Sequence, residues 1–150
     1  MKIYIAADHA GFYLKKALIQ YLKLKGYEVE DCGAYDMNEE DDYPDFIIPC
    51  AQKVASDGGS VGIVIGGSGN GEAIAANKVK GIRAAVYNSG THFIAKAAKE
   101  HNNANILSLG ARFITPEEAK KAITTWLEAE FEGGRHERRI EKIAKIEASW

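Results

Sequence analysis

Two rhythms of apolar and polar positions alternate along the chain. Short β-branched and aromatic runs at residues 2–7, 27–32, 60–65, 82–87 and 106–109 predict five strands, the third apolar enough to be buried on both faces. Helical spacing separates them. Leu14, Ala17, Leu18, Tyr21 and Leu22 form one stripe, with Lys15, Lys16, Lys23 and Lys25 directed elsewhere and Gly26 just past the helix end. Tyr43-Pro44 opens a second helix reaching about residue 56, which Pro49 is expected to delay or kink. Residues 72–78 and 91–101 predict two more. Thr115, Pro116 and Glu118 supply an N-cap, a first-turn proline and a capping-box acid for a helix over about 116–131. Gly133-Gly134 ends it, and a last helix over about 135–148 carries Ile140, Ile143 and Ala144 on one stripe.

Strict strand–helix alternation implies an α/β fold, a parallel sheet with helices on both faces. Ligands bind such sheets beyond the C-terminal ends of the strands. Asp8-His9, the 66–72 loop, Asn88 and Arg112 all fall there.

The 150 residues, 46% hydrophobic, suit one domain spanning 1–150. A formal net charge of -2 gives no global field for nucleic acid or an anionic membrane, so any anion site must be local. No apolar run approaches the roughly 18 residues of a membrane span. The opening MKIYIAADHAG lacks the basic and apolar regions of a secretory signal, and Cys32 and Cys50 show no CxxC spacing; a reducing cytoplasm is expected.

Gly66-Gly67-Ser68-Gly69-Asn70-Gly71 can bring its amides close to a ligand, or simply form a tight turn. It matches neither the dinucleotide fingerprint nor the P-loop. Glu72 is the only acid in that loop and a candidate general base, though a first-turn acid can also serve only the helix dipole. Loop amides would keep it ionised, whereas a dry site would raise its pKa. Asp8 and His9 suit sugar ring opening or capping. Arg135 and Arg139 lie four apart on one helix face, either a phosphate clamp or a charged face paired with Glu137 or Glu141. His101 alone reads as a helix cap. No His, Cys and carboxylate cluster has metal-ligand spacing, so no metal or other cofactor is assigned.

The segments AADHAGFYLKK, DYPDF, GGSGNGEAIAANKVKGIRAA, EHNNANILSLGAR and FEGGRHERRIEKI resemble successive blocks of the ribose-5-phosphate isomerase B and galactose-6-phosphate isomerase family, over nearly the whole chain. The resemblance implies a five-stranded Rossmann-like αβα sandwich and a cytoplasmic homodimer or tetramer with shared active sites, its C-terminal helix extending to a partner. The implied reaction interconverts ribose 5-phosphate and ribulose 5-phosphate. Asp8 and His101 would open the ring, Ser68 would bind the open sugar, and Glu72 would move the proton between C2 and C1. Gly67 and the amides of Gly69, Asn70 and Gly71 would hold the enediolate. His9, Arg112, Arg135 and Arg139 would hold the phosphate, with Tyr43 and Asn102 lining the pocket. Many relatives carry a cysteine base where this chain has Gly66, so the resemblance is to the glutamate-base branch. Six-carbon substrates such as allose 6-phosphate or galactose 6-phosphate, and a non-catalytic sugar-phosphate sensor, are the alternatives.

The topology adds an expectation about His101. The helix leading to it runs back antiparallel to the strands, so it should end at the edge opposite Asp8 and Glu72.

Overall fold

The computed structural model describes residues 1–150. Five parallel strands form one sheet: β1 (Lys2–Ala7), β2 (Glu28–Asp31), β3 (Val61–Gly66), β4 (Ala84–Tyr87) and β5 (Ile106–Gly110), in the order β2-β1-β3-β5-β4. β3 lies at the centre, and all six of its residues are buried. The helices are α1 (Phe12–Leu24), α2 (Pro44–Ser56), α3 (Asn70–Ala76), α4 (Phe93–Glu100), α5 (Pro116–Glu128) and α6 (Arg135–Glu147).

Strand alternation sorts the core into two layers. Ile3, Ile5, Ile63, Ile65, Leu107 and Leu109 face α1, α4 and α5, with Trp126 fully buried among them. Tyr4, Ala6, Val64 and Ile106 face α2 and α3. α6 joins neither layer and buries none of its residues. No helix is long and apolar enough to cross a membrane.

Local chemistry explains most boundaries. Gly26, at φ +92°, closes α1 with paired bonds from Gly26 N–H to the Lys23 carbonyl and from Tyr27 N–H to the Leu22 carbonyl. Thr115 and Glu118 form the expected reciprocal capping box of α5. Pro49 does not delay α2, which runs through it. β4 starts two residues later than predicted because the Arg83 N–H donates to the Asn105 side chain at 2.8 Å instead of to the ladder. α5 ends three residues early: Ala129 is extended, and the Glu132 N–H crosses to the carbonyl of Glu100 at 3.0 Å. Lys15 is also a correction. It is 1% exposed, not on the polar face, and its ammonium donates to Asp31 at 2.7 Å and to the Ala34 carbonyl. It thereby ties down the start of the 34–43 loop.

Candidate active site

β1 and β3 are neighbours, yet the helices that follow them, α1 and α3, pack on opposite faces of the sheet. The chain diverges at their C-terminal ends and opens a crevice at the place where such sheets bind ligands. Two carboxylates meet in it. Asp8, 6% exposed, accepts hydrogen bonds from the amides of Ala10 at 3.0 Å and Gly11 at 3.4 Å, so its capping role is real. Its charge also reaches Glu72, which sits in the first turn of α3 and is 4% exposed. Burial, the largest influence, raises the Glu72 pKa and the charge of Asp8 adds to it, while the amides of Glu72 and Gly69 act in the opposite direction. Desolvation wins over the loop amides.

The loop is built around that carboxylate. A Cβ on Gly66 would lie 1.7 Å from Glu72 Oε1, so Glu72 occupies the space that any side chain at 66 would need. Gly69, at φ +83°, turns the chain into α3, and the buried Ser108 hydroxyl donates to its carbonyl at 2.7 Å. Asn88 donates to the Ser68 carbonyl at 3.0 Å, and Ser68 Oγ accepts from the Asn70 amide at 3.1 Å. The Tyr43 ring covers Gly71, where a Cβ would come within 2.7 Å of it. Arg112 lies along Gly67, where a Cβ would be 3.0 Å from its Nη1, and its amide donates to the Gly67 carbonyl at 3.1 Å.

His9 completes the rim with a partner that sequence reasoning missed. Its Nδ1 lies 2.7 Å from Asp41 Oδ1, which also accepts the His9 backbone N–H at 3.1 Å. That hydrogen bond raises the His9 pKa against the opposing effect of burial, and the charge of nearby Arg112 lowers it by less. The other oxygen of Asp41 is buried without a hydrogen-bond partner. Asp41 is one of five acids in residues 34–43, and nothing in their spacing distinguishes it.

Four residues grouped with this site in the sequence reading lie elsewhere in the protomer. His101, the C-cap of α4, and Asn102 fall just before β5, at the N-terminal edge of the sheet. Along β3 the two edges are roughly 16 Å apart at ~3.3 Å per residue. Arg135 and Arg139 accompany His101, because the ring of His136, beside them on α6, stacks on the His101 ring at 4.5 Å and 10°. Glu132, His101 and His136 form a cluster there that sequence spacing did not disclose. Burial, followed by the charges of His101 and Arg135, lowers the His136 pKa. Arg112, Arg135 and Arg139 have no carboxylate within 4 Å, so the expected alternative of pairing with Glu137 or Glu141 is not met.

The model of the ribose/galactose isomerase family matches residues 3–143. The chain belongs to that family. Ribose-5-phosphate isomerase B of Mycobacterium tuberculosis is 46% identical over 152 residues, covering 98% of this chain and 90% of the relative. Two solved members of the ribose/galactose isomerase family share the fold. Ribose-5-phosphate isomerase B of Clostridium thermocellum has 49% identity and a TM-score of 0.94, with 99% of each chain covered. That of Mycoplasma genitalium with bound ribulose-5-phosphate has 45% identity and a TM-score of 0.95, covering 99% of this chain and 97% of its own. In this member of the family, the space beside residue 66 belongs to a carboxylate.

Proposed function

We propose that the chain is an aldose–ketose isomerase, a single catalytic unit over residues 1–150, that interconverts D-ribose 5-phosphate and D-ribulose 5-phosphate in the cytoplasm without a metal. The observation that carries this is the buried Glu72 carboxylate in the crevice, beside Asp8 and a glycine-rich loop. Burial makes Glu72 a stronger base than an exposed glutamate while leaving it a carboxylate suited to moving a carbon-bound proton.

In the proposed reaction, Asp8 and His101 of the partner subunit open the furanose ring, and Ser68 hydrogen-bonds the open chain. Glu72 removes the C2 proton, made acidic by the C1 aldehyde. Negative charge passes to O1, where Gly67 and the amides of Gly69, Asn70 and Gly71 stabilise the enediolate. Glu72 then returns the proton to C1, and the O2 hydroxyl proton passes to O1, which leaves the ketose. His9 and Arg112, with Arg135 and Arg139 of the partner subunit, hold the phosphate. Tyr43 and, like His101, Asn102 of the partner subunit line the pocket. Phosphate contacts far from C1 and C2 fix the sugar over the base.

The separation of the two residue groups within one chain supports a homodimer or tetramer with shared sites. So does α6, whose Ile140, Ile143 and Ile146 face Ile82 and Ala84 across an apolar groove of about 410 Å³ at the β4 edge. A symmetric pair would use the same contact twice and complete two sites.

A direct isomerisation assay with ribose 5-phosphate and allose 6-phosphate tests the proposal. Turnover of ribose 5-phosphate is expected. Turnover of the six-carbon sugar alone would reassign the substrate, and binding of either without turnover would make the chain a sensor.

A further inference from the structure

Beyond the crevice, the molecule gathers a second set of groups able to hold an ion. His101 Nε2 lies 3.3 Å and His136 Nε2 3.7 Å from the same oxygen, Glu132 Oε1, and the three ligand atoms all fall within 4.8 Å of one another. A tetrahedral zinc ion with bonds of about 2.0–2.1 Å spaces its ligands roughly 3.3 Å apart. The cluster is within a few tenths of an ångström of that spacing along two of its edges. Neither contact is an aligned hydrogen bond, so neither ring nitrogen is committed to the carboxylate.

The backbone holds all three groups in place. Glu132 N–H donates to the Glu100 carbonyl at 3.0 Å, His101 N–H to Ala97 at 2.8 Å and His136 N–H to Gly133 at 3.1 Å. The imidazole rings stack nearly parallel at 4.5 Å, so one of them must turn about its side-chain bonds for both nitrogens to face a shared ion. The other three-residue set, Asp8, His9 and Asp41, differs in kind. There the His9–Asp41 contact is a 2.7 Å hydrogen bond and Asp8 Oδ1 accepts two capping amides, so His9 Nδ1, Asp41 Oδ1 and Asp8 Oδ1 are already engaged.

We propose that His101, Glu132 and His136 form a binding site for a borderline transition-metal dication, zinc or cobalt(II), whose occupancy takes His101 out of the isomerase reaction. Two imidazoles and one carboxylate are the ligands such ions select over magnesium or calcium, with water in the fourth position. Arg135 and Arg139, on the same helix turn, oppose a second positive centre. The site therefore binds reversibly and acts as an inhibitory one. The inhibition rests on the role proposed for His101, whereas the metal binding does not.

The test uses the full chain freed of metal and titrated with zinc sulfate by calorimetry, and with cobalt(II) chloride by visible absorption. One equivalent per chain is expected, with the intense bands of four-coordinate cobalt. Glu132→Ala and His136→Ala should each weaken binding tenfold or more, while His9→Asn leaves it unchanged. Zinc should abolish isomerisation of ribose 5-phosphate by the wild type, and a chelator should restore it. No stoichiometric binding, or binding indifferent to Glu132→Ala and His136→Ala, overturns the site. Full turnover by wild-type protein saturated at this site overturns the inhibition. Absence of turnover in metal-free protein would instead count against the isomerase reading and leave the binding data standing.

Discussion

The crevice at the C-terminal edge and the His101 cluster at the opposite edge are built in contrasting ways. Every group in the crevice is fixed by this chain's own sheet: Asp8 caps its turn, Asp41 holds His9, and Glu72 fills the space beside Gly66. The opposite cluster depends on α6, a helix that buries nothing, and its arginines have no carboxylate partners. On the shared-site reading proposed above, a folded chain contains one finished half of a polar site and one half on a helix that buries none of its residues. Groups at the ends of buried strands are held by packing on the core, whereas those beside α6 are held by a few backbone bonds and one ring stack.

The sharpest way to break this contrast is to damage one half in each of two chains. Glu72→Gln should lower kcat by about 10²–10⁴-fold, the usual worth of a positioned base, with KM within a few-fold. His101→Ala should also be impaired. Unfolding the two variants together and reassembling them should restore activity, since a mixed dimer holds one site with both lesions and one intact. No recovery in verified mixed dimers would return His101 to a structural role.

Gly66→Ala should come next. Its Cβ would displace the carboxylate of Glu72, so kcat should fall about a hundredfold while the fold and phosphate binding persist. Unchanged turnover would show that Glu72 works from another position. Arg135→Ala and Arg139→Ala should each raise the inhibition constant for inorganic phosphate about ten- to a hundredfold, the loss of one charge-assisted contact at about 1.5–3 kcal/mol. Equal inhibition in wild type and variants would remove α6 from phosphate binding.

The smallest effect concerns pH. Hydrogen bonding to Asp41 raises the His9 pKa, so phosphate affinity should be full below the ordinary histidine range and decline as pH rises through the raised value. Stability follows the same sign, with the contribution of His9 present below its unfolded pKa of about 6.5 and lost as pH passes the folded one. Asp41→Asn should move both declines to lower pH, with kcat nearly unchanged at acid pH. A phosphate-binding profile that does not move would leave Asp41 without influence on His9. The proposed base, Glu72, must be ionised to act, so its raised pKa should place the acid limb of kcat/KM above the ordinary glutamate range.

How much of this was legible in the sequence follows from what each signal measures. Short continuous apolar runs located the strands because a sheet covered on both faces demands them, and the glycine loop and Glu72 stood out by position. The wrong-edge placement of His101 also followed from topology alone. Asp41 did not, because its selection depends on how the 34–43 loop folds back over His9, which no periodicity encodes. Lys15 reads as a surface residue until the carbonyl of Ala34 is brought to it. The cluster of His101, Glu132 and His136 needs α5 to end at Glu128 and the chain to cross to Glu100, and helix propensity alone carried α5 too far.

The clash between a side chain at 66 and the carboxylate of Glu72 also bears on how the family could diversify. If Glu72 is the base, as proposed, gaining a cysteine at 66 would evict it before the new one is framed, and losing Glu72 first would leave no base at all. Each single step would then pass through an impaired enzyme, which would make the two positions epistatic. Lineages crossing between cysteine and glutamate chemistry would have to change both sites nearly together, or do so in a duplicated copy released from selection.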